Sequence, residues 1–102
     1  GVNDLMAMGA LQAAHNRGLS VPTDLSVAGF DDIDLAEHLT PPLTTLRAHG
    51  EEIGRQAATL LFDRLAAPDR PQQRVAIPTK LVIRGSTGAC PRAMDAAEPS
   101  YP

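Results

Sequence analysis

The chain has 102 residues, no more than one ordinary domain. A formal net charge of −3, with acidic and basic residues interspersed, leaves no basic stripe and so no phosphate-backbone binder. No apolar run is long enough to cross a membrane, nothing reads as a signal peptide, and the single Cys90 excludes an internal disulfide and suits a reducing, cytoplasmic setting.

Gly1 and Val2 read as the stub of an earlier strand, and a start at Gly1 rather than Met leads us to expect a piece of something longer. Asn3 is a good N-cap, and Asp4 places negative charge at a helix start. The helix is expected to run to about Arg17 and stop at Gly18. Ala7, Ala10, Leu11 and Ala14 form one small apolar face, suited to close packing on a sheet. Leu5, Met8, Gln12 and His15 form a second stripe, more apolar than a solvated face needs. Two readings fit it, a wide core face or a partner surface.

Ser20 to Thr23 is a connector in which Pro22 blocks helix. DLSVAGFDD, from Asp24 to Asp32, then reads as a buried strand ending on two carboxylates. In an open parallel α/β sheet, ligands bind just beyond the carboxyl ends of strands. The aspartates therefore either face a ligand or cap the next helical turn. That turn spans Ile33 to His38 and carries Leu35. Thr40-Pro41-Pro42 ends it, and Leu43 to Arg47 is a short strand.

Gly50 opens a long helix from Glu51 to Ala66, whose apolar face is Ile53, Ala57, Leu60, Leu61 and Leu65. A surface loop follows, then two strand candidates, Val75 to Pro78 and Lys80 to Arg84, split by Pro78. From Ala89 to Pro102 no periodicity remains, and a disordered tail is expected. Strands alternating with helices indicate an α/β fold with a parallel sheet. About four strands are too few to complete one.

Little here is catalytic. Asp31, Asp32 and Asp34 are bunched on one loop, but no Cys or His stands at ligand spacing, so no metal is expected. The carboxylate pair has no activated nucleophile or oxyanion motif beside it, so no enzyme and no cofactor is expected. Gly9, Gly18 and Gly29 are too scattered for a phosphate loop.

Three stretches carry a resemblance: NDLMAMGALQAAHNRGLSVPTDLSVAGFDD, PPLTTLRAHGEEIGRQAATLLFDRL and the closing PTKLVIRGST. In this order and spacing they resemble the effector-binding core of the lac repressor/gal repressor family of bacterial transcription regulators. The resemblance covers Asn3 to about Gly88. It implies a partial periplasmic-binding-protein-like fold over residues 3–88, with a mostly parallel sheet flanked by helices, and residues 89–102 as a tail. Such regulators hold a small effector, a sugar or nucleobase, between two lobes. They reach DNA through an N-terminal helix-turn-helix, which has no counterpart in these residues. The chain resembles the C-terminal lobe, with the Glu51 to Ala66 helix as a crossing into the other lobe.

Carried over residue by residue, the resemblance implies that Asn3 and Asp31 bind the effector. It also implies that Met8 and the Leu35 to Leu39 segment lie at a homodimer interface, which makes Leu5, Met8, Leu35, His38 and Leu39 the interface candidates. Many members carry Gln-Pro where this chain has Ala48 and His49, which puts ligand contacts from that crossover in doubt. Two rivals stand beside a repressor: a sugar-binding transport protein of the same fold, and a bare dimerisation module. Neither needs a membrane contact from this chain.

Overall fold

The computed structural model describes residues 1–90. Helix α1 spans Asp4–Asn16. It starts where Asn3, in extended backbone, turns its Oδ1 to accept the Met6 N–H at 2.9 Å. It stops where Gly18 takes a φ of +71°, which lets the Leu19 N–H return to the Ala14 carbonyl and close the last turn.

Strand β1 is Ala28–Phe30, β2 is Thr44–Arg47 and β3 is Lys80–Val82. They form a three-stranded sheet in the order β1-β2-β3. The β1–β2 pair is parallel, with Gly29 opposite Thr45. The β2–β3 pair is antiparallel, with Arg47 opposite Lys80. The sheet is therefore mixed, where a mostly parallel one was expected. A parallel neighbour needs a connection that crosses back over the sheet face. Helix α2, Gly50–Ala66, does not cross back, so β3 enters at the end where β2 leaves.

The expected strand from Asp24 to Asp32 shortens to three residues. At its front, Asp24 folds back on Ser20 in a turn, its carboxylate accepting the Ser20 N–H at 2.7 Å. Leu25 is accordingly exposed. At its end, Asp31 and Asp32 both take positive φ and leave the sheet. No strand forms over Val75 to Pro78, which finds no edge to pair with among the described residues. The helical turn appears as a 3-10 helix, Asp34–His38. Of the tail, residues 91–102 lie outside the described residues.

The core is small. Ala7, Val27, Ala36 and Leu43 are buried, with Leu11, Val21, Ile33 and Leu39 packed around them. Ala10, expected on the core face of α1, is exposed. Close approach of α1 to β1 depends on Gly29: a Cβ there would overlap the Asp4 carboxylate and lie 3.1 Å from the Asp4 Cα. Buried Ser86 ties the strand beginnings together, its Oγ donating to the Val27 carbonyl at 2.6 Å and accepting the Thr44 N–H at 2.8 Å. Helix α2 contributes nothing to this core, since none of its residues is buried. The radius of gyration, 19.4 Å, far exceeds the ~13 Å of a compact domain of this length.

Candidate functional site at the end of the parallel strands

Parallel strands β1 and β2 end side by side, so Asp31, Asp32 and Arg47 meet at one end of the sheet. Asp31 and Asp32 are adjacent in sequence but occupy opposite environments. The Asp32 side chain is only 8% exposed, and each of its oxygens meets an arginine. Oδ2 accepts Arg47 Nε at 2.7 Å, and Oδ1 pairs with an Arg84 guanidinium nitrogen at 2.8 Å. Burial by itself would raise the Asp32 pKa. The hydrogen bonds and charges of the two guanidiniums outweigh it and hold the carboxyl below its ordinary value. Asp32 is thus a structural anion.

The Asp31 side chain is exposed, and no hydrogen bond or ion pair engages it among the described residues. Its φ of +117° is strained for any residue other than glycine. The backbone around it is tied down at three successive amides. Asp31 N–H donates to the Leu46 carbonyl at 2.9 Å, Asp32 N–H to Thr45 Oγ1 at 3.3 Å, and Ile33 N–H to Asp4 Oδ2 at 2.9 Å.

Asn3 belongs to the same end of the sheet, because the neighbouring Asp4 accepts from Ile33, two residues past Asp31. Its oxygen is already the helix cap, so what Asn3 can offer a ligand is its amide N–H groups. Asp31 offers only acceptors. A free carboxylate and a capped amide at one strand end can bind a neutral molecule rich in hydroxyls.

Beside them lies a polar cleft of about 300 Å³, lined by Asp32, Ile33, Asp34, Glu37, Arg47 and Arg84. Sequence reading missed Arg47, Arg84, Thr45 and Asp4 as parts of this site. A weak signal existed in β2, where Thr45 and Arg47 stand two apart and therefore share a face. Among the described residues, no His, Cys, Asp and Glu group is placed to hold a metal.

The interface candidates gather in part. Met8 and Leu39 share a groove of about 230 Å³ with Leu11, Gln12, His15 and Thr40. Leu5, Leu35 and His38 do not line it and are exposed. Leu5 therefore is not a core residue in this chain. Leu11 takes that role on α1.

A family model described as periplasmic binding protein-like domain matches residues 1–87. The chain is 46% identical over 89 residues to the HTH-type transcriptional repressor CytR of Escherichia coli K12, covering 87% of this chain and 26% of that protein. It is similar to the solved LacI family transcriptional regulator of Arthrobacter sp. FB24 in complex with lactose: TM-score 0.73, 40% identity, 85% of this chain and 33% of the other. It is also similar to the lac repressor dimer bound to operator and the anti-inducer ONPF: TM-score 0.78, 34% identity, 86% of this chain and 30% of the other. The chain thus spans about a quarter of the length of CytR.

Proposed function

The chain belongs to the periplasmic binding protein-like family, on its lac repressor/gal repressor branch, and from that premise we propose that it senses a sugar-like effector for a transcriptional repressor. It supplies one wall of the effector cleft and a dimer surface, and it reaches DNA through a helix-turn-helix elsewhere in the full-length protein. Asp31 and Asn3 bind the effector. Leu5, Met8, Leu35, His38 and Leu39 contribute to the contact between subunits. Effector binding biases the relative angle of two lobes, and with it the spacing of the DNA-binding heads.

One observation carries this reading. Asp32 is neutralised by two arginines, while Asp31 beside it is left bare at a strand end in strained backbone. Strain of this kind persists where the surrounding structure enforces it and clusters at ligand sites. The lactose complex of the Arthrobacter relative supports a sugar as the ligand class.

The test is calorimetry on the full-length protein against pentoses, disaccharides and nucleosides. A member of that panel should bind. Asp31→Ala should then weaken it by about 1.5–3 kcal/mol, the usual loss for a hydrogen bond to a charged group. Unchanged affinity in a folded Asp31→Ala protein would overturn the assignment of Asp31.

A further inference from the structure

We propose that Arg47 is a positioning residue for effector binding: it grips Asp32 and thereby fixes the direction in which Asp31 presents its carboxylate. This inference rests on the effector role of Asp31 proposed above.

A residue at φ +117° relaxes to negative φ unless its neighbours prevent it. Three amide hydrogen bonds at residues 31, 32 and 33 prevent it here. Two of the three acceptors are side chains, and both belong to one relay. Thr45 Oγ1 accepts from Asp32 N–H while donating to Asp4 Oδ1 at 2.6 Å, and the other Asp4 oxygen accepts from Ile33 N–H. The relay holds the amides. It does not hold the side chain of Asp32, whose own φ is +55°. That task falls to the two guanidiniums.

Their surroundings differ. Arg84 is 15% exposed and also donates to the Leu43 carbonyl at 2.9 Å, so it serves the sheet as well as Asp32. Arg47 is 43% exposed, and Asp32 is its one hydrogen-bond or ion-pair partner among the described residues. Arg47 is also the last residue of β2, and it directly follows Leu46, whose carbonyl accepts the Asp31 N–H. Its loss should leave the core intact and loosen only the strand end that carries Asp31.

The test uses the full-length protein and whichever effector the calorimetric panel identifies, with Arg47→Gln, Arg47→Lys and Asp31→Ala compared. Arg47→Gln should weaken effector binding about tenfold while the circular dichroism spectrum stays that of the parent. Amide exchange at Asp31, Asp32 and Ile33 should speed up at least tenfold, with α1 unchanged. Arg47→Lys, which keeps a donor and a charge, should recover most of the affinity. Should Arg47→Gln prove unstable, Asp32→Asn, which retains left-handed tolerance but lacks the charge, should show the same local exchange. The proposal is overturned if Arg47→Gln binds the effector as the parent does while Asp31→Ala does not. It falls equally if Arg47→Gln and Arg47→Lys lose affinity alike. Normal binding by Asp31→Ala would remove the effector role itself and this inference with it.

Discussion

The hydroxyl of Thr45 donates to the Asp4 carboxylate at 2.6 Å across 41 residues of chain, and both side chains are fully buried. The pair joins the first turn of α1 to the middle of β2. It sits directly against Gly29, where no Cβ would fit. A buried carboxylate that loses a donor bears its desolvation penalty uncompensated. Thr45→Val keeps the shape and removes the hydroxyl. It should destabilise the full-length protein by about 1–3 kcal/mol in urea unfolding. Thr45→Ser, which keeps the donor, should recover most of that loss.

Acid should expose the Asp32 cluster. The two guanidiniums hold its folded pKa below the ordinary value of 3.8. A carboxylate with a depressed folded pKa contributes stability that is fully present above its unfolded value. That stability is lost as pH falls through the folded value. The contribution should therefore be flat from neutral pH down to about 4 and disappear below it. Urea midpoints measured from pH 7 to pH 2.5 check this. Asp32→Asn should start less stable at pH 7 by about 1.5–3 kcal/mol and lose less than the parent on acidification. A parallel acid profile for the two proteins would contradict it.

What the sequence revealed and what it hid divide by range. Helix α1 was legible at both ends because each end signal is local: Asn3 caps Met6 at the start, and Gly18 turns the chain so that Leu19 closes on Ala14 at the stop. The Thr44–Arg47 strand was legible from its β-prone residues. Val75 to Pro78 was misread because a strand needs an edge as well as a composition, and no edge among the described residues reaches it. The length of β1 was misread for a similar reason, since the Asp24 carboxylate diverts the chain into a turn before Leu25. At the site, the carboxylates at the strand end could be read from GFDD. Which of the two is free could not. That depends on Arg47, at the end of β2, and Arg84, just past the end of β3, and no local pattern joins them to Asp32.

Met8 gives a test of the proposed dimer surface. It is half-buried in the groove it shares with Leu39, on a flank of α1 beside the face that carries the buried Ala7 and Ala14. A charge there is desolvated only if a partner covers the groove. Met8→Glu should convert the full-length protein from dimer to monomer in sedimentation, with helical circular dichroism retained. A mutant that stays dimeric would place the subunit contact elsewhere.

Helix α2 buries none of its residues in the isolated chain. Leu61 and Leu65 are 56% and 67% exposed, and Ile53 and Phe62 are exposed with them. Each large apolar side chain left in water forgoes about 1.5–3 kcal/mol. A 17-residue helix with no buried residue is held by its own propensity and by polar contacts near the surface: Arg55 with Glu51 and Glu52, Gln56 with Glu52, Arg70 with Asp63, and Arg64 with the Pro68 and Arg70 carbonyls. Isolated helices of about this length are marginal in water, and exposed i,i+4 pairs add only ~0.3–0.5 kcal/mol each. The α1–β1–β2 unit differs in kind, because buried Asp4, Thr45 and Ser86 cross-link it at fixed distances. In dilute isolated chain, α2 amides should therefore exchange at nearly unprotected rates while amides of β1 and β2 exchange slowly. In the full-length protein, α2 should become protected as well. At higher concentration the isolated chain should self-associate in sedimentation, since its apolar surface has no other cover. A monomer in which α2 exchanges as slowly as β2 would mean that the helix finds cover within these residues.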